Sequence, residues 1–171
     1  MIKILLLTLF CWSQSGIYDF QPNDSTGGVI DFSAFRHKKI LLVNIATQNR
    51  YNSQLKKLEQ LYQLYKDSLV IVVFPSNSFG HEPGTNASIT AYCHDSCGIS
   101  FPIAGINPVS GAYKQTVYQW LTTIGQNGRV DGDVIGDYQK FLVNEDGQLI
   151  GVFAPSIDPL ATEIINAIQG Q

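Results

Sequence analysis

The chain is 171 residues long, with a hydrophobic fraction of 44% and a charged fraction of 15%. That is enough apolar material for one domain with a full core, and it excludes an intrinsically disordered chain. A formal net charge of −3 supplies no basic face, so nucleic acid is not an expected partner.

Lys3 precedes an apolar block from Ile4 to Trp12, and Ser13-Gln-Ser15 follows with the small residues a signal peptidase accepts. The block is shorter than the roughly 20 apolar residues a spanning helix needs. Residues 1–15 are therefore expected to be a secretory signal peptide, with residues 16–171 forming the exported domain and no transmembrane anchor. A lipoprotein signal ending at Cys11 is the rival, opposed by bulky Phe10 where a small residue is expected. Export would put the remaining thiols, Cys93 and Cys97, in an oxidising compartment, where paired cysteines tend to cross-link. Asn23-Asp-Ser25 and Asn86-Ala-Ser88 are glycosylation sequons, meaningful in a eukaryotic host.

Ile17-Tyr-Asp-Phe20 and Val29-Ile-Asp-Phe32 bracket the turn signal Asn23-Asp-Ser-Thr-Gly-Gly28, a pattern that predicts an N-terminal β-hairpin. The run Ile40 to Ala46 reads as a buried strand. Ser53 onward then places Leu55, Leu58, Leu61, Tyr62 and Tyr65 at helical spacing as far as Asp67. Leu69-Val-Ile-Val-Val-Phe74 is a second buried strand, which Pro75 closes. Strand, helix, strand in this order make a βαβ unit with a parallel pair. Asn86 is the expected N-cap of a helix over Ala87 to Ser96, stopped by Gly98. Val117, Trp120, Leu121 and Ile124 suggest another short helix, and Gly125 to Gly136 an exposed loop. Lys140-Phe-Leu-Val143 and Leu149-Ile-Gly-Val-Phe153 flank the hairpin signal Asp146-Gly147. A last helix is expected from Asp158 as N-cap, through Leu160, Ile164 and Ile168, to Gly170. The pattern predicts an α/β, thioredoxin-like fold: a central mixed sheet, flanking helices and an N-terminal hairpin.

Seven blocks in order then resemble the glutathione peroxidase family: Ile17-Tyr-Asp-Phe20, Leu41-Leu-Val-Asn-Ile-Ala-Thr47, Phe74-Pro-Ser-Asn-Ser-Phe-Gly80, Glu82-Pro-Gly84, Ser100-Phe-Pro102, Lys140-Phe-Leu-Val143 and Phe153-Ala-Pro155. The resemblance implies thiol-dependent hydroperoxide reduction in the response to oxidative stress, with a cysteine or selenocysteine at the turn after the first strand. It also implies a monomer, because the assembly insertion of tetrameric members is missing. In this chain the positions of the family's catalytic tetrad read Asn49, Ser78, Gly136 and Asp137. An amide has no ionisable lone pair with which to attack an O–O bond, as a thiolate has.

Cys93 and Cys97 leave three readings open: buried core thiols, a disulfide at a frayed helix end, or a redox pair left from the resolving cysteine that the resemblance places on this helix. His81, Cys93, His94 and Cys97 match no standard zinc spacing, so no metal and no other cofactor is expected. Asp131, Asp133 and Asp137 read as a solvated acidic cluster. The expectation is an exported member of the family that kept the fold and lost peroxide reduction, with a binding or structural role for the pocket around Asn49, Arg50, Ser78 and Asp137. The alternative is a weak thiol-dependent peroxidase or oxidoreductase using Cys93 and Cys97.

Overall fold

A computed structural model describes residues 16–171; the expected signal peptide lies outside the described residues. The element order is β1 (Lys39–Ile45), α1 (Gln54–Tyr65), β2 (Leu69–Pro75), α2 (Asn86–Ala91), α3 (Thr116–Leu121), α4 (Ile124–Asn127), β3 (Lys140–Val143), β4 (Leu149–Phe153) and α5 (Thr162–Gln169). The sheet has four strands in the order β2-β1-β3-β4. β1 pairs in parallel with β2 and antiparallel with β3, and β3 pairs antiparallel with β4. This is the thioredoxin-like mixed sheet the βαβ unit and the terminal hairpin predict.

The unbroken apolar runs of β1 and β2 follow from burial on both faces. Ile40, Leu42, Val70, Val72, Phe74, Phe141 and Val143 face Tyr118, Trp120 and Leu121. Leu41, Val43, Ile45, Leu69, Ile71, Val73 and Leu142 face Leu55, Leu58 and Leu61 of α1, Cys93, and Ile164 and Ile168 of α5. Alternate residues of a strand point to opposite faces, so β1 serves both cores. Among the described residues no helix is long and apolar enough to cross a membrane.

Three local expectations are corrected. The N-terminal hairpin is reduced to one antiparallel bridge, Asn23 to Val29, between two 3₁₀ turns, Ile17–Asp19 and Phe32–Phe35. Ile17, Tyr18 and Phe32 bury as single anchors in the first core instead of alternating along strands. The N-cap of α2 is Thr85, whose hydroxyl forms a capping box with Ser88, while Asn86 Oδ1 accepts from Ile106 N–H across the molecule. Beyond Ala91 the helix widens into a π turn, Tyr92–Ser96, and ends at Gly98 as expected, with φ +71°. Asp158 caps only a turn, and α5 begins at Thr162.

Candidate functional site

The turn after β1 is held by a buried carboxylate. Glu82, 1% exposed, accepts from Thr47 N–H at 2.6 Å, Thr47 Oγ1 at 3.0 Å and Gly84 N–H at 3.1 Å. Gln48 N–H donates to His81 O, so the segment after β2 is laced to the segment after β1. On the other side Asn44, fully buried in β1, donates from Nδ2 to Gly136 O at 2.9 Å, and its carbonyl accepts from Tyr138 N–H at 2.7 Å. Tyr138 adopts φ +68° and its hydroxyl donates to Ala46 O. A non-glycine residue in that region is strained, and here the bonds to Asn44 O and Ala46 O hold it. The consequence is that Asp137, between Gly136 and Tyr138, is driven inward against the turn.

Asn49, His81 and Asp137 thereby meet. His81 Nδ1 lies 2.7 Å and Asn49 Nδ2 lies 2.9 Å from Asp137 Oδ2. Tyr51 N–H donates to Asn49 Oδ1 at 2.9 Å, which fixes the amide with its nitrogen toward the carboxylate. An ionised carboxylate only accepts, so the proton between it and the imidazole sits on Nδ1. The 3.3 Å approach of Asn49 Nδ2 to His81 Nδ1 is thus between two donors sharing one acceptor. The Asp137 side chain is fully buried and that of His81 half exposed. The three border a cleft of about 770 Å³, lined also by Gln48, Arg50, Tyr51, Phe79, Ile135 and Pro155. The Arg50 guanidinium lies 4.8 Å from the centre of the Tyr51 ring, a cation–π contact.

Of the four sequence-derived tetrad positions, Asn49, Gly136 and Asp137 line this cleft and Ser78 does not. The Ser78 hydroxyl accepts from Val109 N–H at 3.0 Å and faces a separate cavity bordered by Ile106, Pro108 and Tyr113. Asp137 is also not part of a solvated acidic cluster. Only Asp131 and Asp133 belong to the polar loop, where Asp133 binds Gly111 N–H and Lys114.

Cys93 and Cys97 are free thiols. Cys93 is fully buried among the side chains beneath β1, and burial pushes its thiol up to about 12. Cys97 is 9% exposed and its thiol is also raised, chiefly by burial. Neither lines the cleft. His94 turns its Nδ1 to Ile99 O, so the candidate set His81, Cys93, His94 and Cys97 does not converge. His81 as the partner of Asp137, and Glu82 as the clamp, were invisible in the sequence: 56 and 35 residues separate the bonded pairs.

A family model for glutathione peroxidase matches residues 17–122. The chain belongs to the glutathione peroxidase family. It is 35% identical over 154 residues to glutathione peroxidase 1 of Helianthus annuus, covering 88% of this chain and 92% of that one. It is 37% identical over 138 residues to the glutathione peroxidase-like peroxiredoxin gpx1 of Schizosaccharomyces pombe, covering 80% and 87%. Among solved structures, the apo form of Trgpx superposes with a TM-score of 0.70 at 29% identity, over 92% of this chain and 97% of that one. The thiol:disulfide interchange protein of Chlorobium tepidum superposes with a TM-score of 0.60 at 16% identity, over 87% and 89%, and shows the shared thioredoxin-like fold alone. Within the glutathione peroxidase family, then, this chain carries an amide, an imidazole and a carboxylate at the turn after β1.

Proposed function

We propose that this protein is an exported member of the glutathione peroxidase family that no longer reduces hydroperoxides and uses its remodelled cleft to bind a ligand. The observation that carries the reading is the position of Asn49. Its amide occupies the turn from which a family thiolate would attack, and both its ends are committed, to Tyr51 N–H and to Asp137. Peroxide reduction by a thiol needs a thiolate within reach of the O–O bond. Cys93, with its thiol raised to about 12, would be ionised at pH 7 to about one part in a hundred thousand. Burial of both thiols thus argues against the alternative of a peroxidase built on Cys93 and Cys97.

Export is supported by the sequence of residues 1–15 alone, and a monomer by the missing assembly insertion. Stopped-flow consumption of hydrogen peroxide and a lipid hydroperoxide, with glutathione or thioredoxin as donor, tests the reading. The protein is expected to match a Cys93→Ser/Cys97→Ser variant. Turnover above that variant overturns it. Fractionation of an expressing cell tests export, and a product confined to the cytosol overturns it; mass spectrometry of the secreted product tests cleavage after Ser15, and an intact Met1 end overturns that.

A further inference from the structure

Loss of the thiolate leaves the cleft with a different reactive group. We propose that His81 is a general base in this cleft, held by Asp137, and that the cleft hydrolyses activated carboxylic esters. The inference goes beyond the loss of peroxide reduction and rests on that reading only in placing the ligand in the cleft.

The argument starts from the ring. Asp137 Oδ2 at 2.7 Å fixes the proton on Nδ1. With that proton on Nδ1, the nitrogen left to act as a base is Nε2, and the half-exposed side chain borders the cleft. A buried carboxylate that orients a histidine and stabilises the imidazolium is the arrangement from which histidine acts as a base. Asp137 is rigidly placed: Asn49 donates to the same oxygen, and the flanking residues Gly136 and Tyr138 are bonded to β1. Asp137 Oδ1, buried with no hydrogen-bond partner, keeps the carboxylate under-solvated.

The cleft suits an acyl compound. Among the lining residues, Phe79, Ile135 and Pro155 give apolar surface for an acyl or aryl group, and Gln48 and Arg50 carry hydrogen-bond donors. The chemistry needs only water as co-reactant. Nε2 takes a proton from water as the water oxygen bonds to the carbonyl carbon. The tetrahedral adduct then expels the alkoxide or phenoxide, breaking the C–O bond, and Nε2 returns the proton to solvent or to the leaving group. The products are a carboxylic acid and an alcohol, and nothing is oxidised or reduced. His81 is the catalytic residue and Asp137 a positioning residue.

The test uses the exported chain with p-nitrophenyl acetate as probe, at pH 8, beside the peroxide assay. Wild type is expected to release p-nitrophenolate at least tenfold faster than His81→Gln, with His94→Gln unchanged from wild type. Long-range ¹H–¹⁵N spectra should show His81 as the Nδ1–H tautomer, and Asp137→Asn should lower the rate and shift the tautomer toward Nε2–H. Equal rates for wild type and His81→Gln overturn the proposal, as does an Nε2–H tautomer in wild type. Circular dichroism of each variant separates unfolding from lost chemistry. An ester result of either sign leaves the peroxide result to stand alone, so the two readings fail separately.

Discussion

Restoring sulfur to the turn gives a quantitative test of how Asp137 would act on a thiol placed there. In Asn49→Cys the new thiol would sit beside Asp137, whose oxygen lies 2.9 Å from the present amide nitrogen. Two unit charges about 4 Å apart at an effective dielectric of about 20 repel by about 4 kcal/mol. Solvent reaching the half-exposed His81 side of the cluster cuts that to roughly half. About 2 kcal/mol corresponds to about 1.5 pK units, moving a thiol from about 8.5 to about 10. The thiolate population at pH 7.5 then falls from roughly one in ten to roughly one in three hundred. Asn49→Cys should therefore consume peroxide slowly, and Asn49→Cys/Asp137→Asn about thirtyfold faster, in a stopped-flow assay under pseudo-first-order peroxide. The thiol pKa, followed by absorbance at 240 nm, should drop between the two variants by about 1.5 units. Equal pKa values in the two variants would refute the electrostatic argument.

Other consequences are open to simpler measurements. Glu82→Ala strands the Thr47 and Gly84 amides and should cost about 2 to 4 kcal/mol, read as a fall of roughly 5 to 15 °C in the thermal midpoint. Lys140, fully buried, donates to Tyr138 O at 2.7 Å, and burial pushes its ammonium down to about 8 from its ordinary 10.5. The unfolded chain binds the proton more tightly, so this group makes stability rise between pH 8 and pH 10.5, by up to about 3 kcal/mol. Urea titrations across that range should show the rise in wild type and lose it in Lys140→Met. Cys93 and Cys97 should be silent to a disulfide reagent in the native state and react on denaturation; rapid native labelling would contradict their burial. Gly147 has φ +80°, and a Cβ there would meet Tyr18 Cε2 at 2.8 Å. Gly147→Ala should therefore lower stability by about 1 to 3 kcal/mol in a denaturant melt.

The fold was legible because its signals are local. The apolar runs of β1 and β2, the helical spacing of Leu55, Leu58 and Leu61, and the Asp146-Gly147 turn each report on a few adjacent residues, and β1 must be buried on both faces to tolerate such a run. The N-terminal hairpin misled because Ile17, Phe20, Val29 and Phe32 have the strand pattern, but the packing of Tyr18 and Phe32 into the core bends the chain into 3₁₀ turns. The start of the last helix misled for a similar reason: Asp158 is tied to Lys57 as well as to Leu160 N–H, which holds it in a turn ahead of the helix.

By itself the sequence determined the thioredoxin-like architecture, the family, and the absence of sulfur at residue 49. Only the tertiary structure decided what replaces it. Asn49, His81 and Asp137 come from three segments spaced 32 and 56 residues apart. Hydrogen bonds from Asn44 to Gly136 and from Thr47 to Glu82 bring those segments together, and a pairing made across a fold leaves no periodicity along a chain.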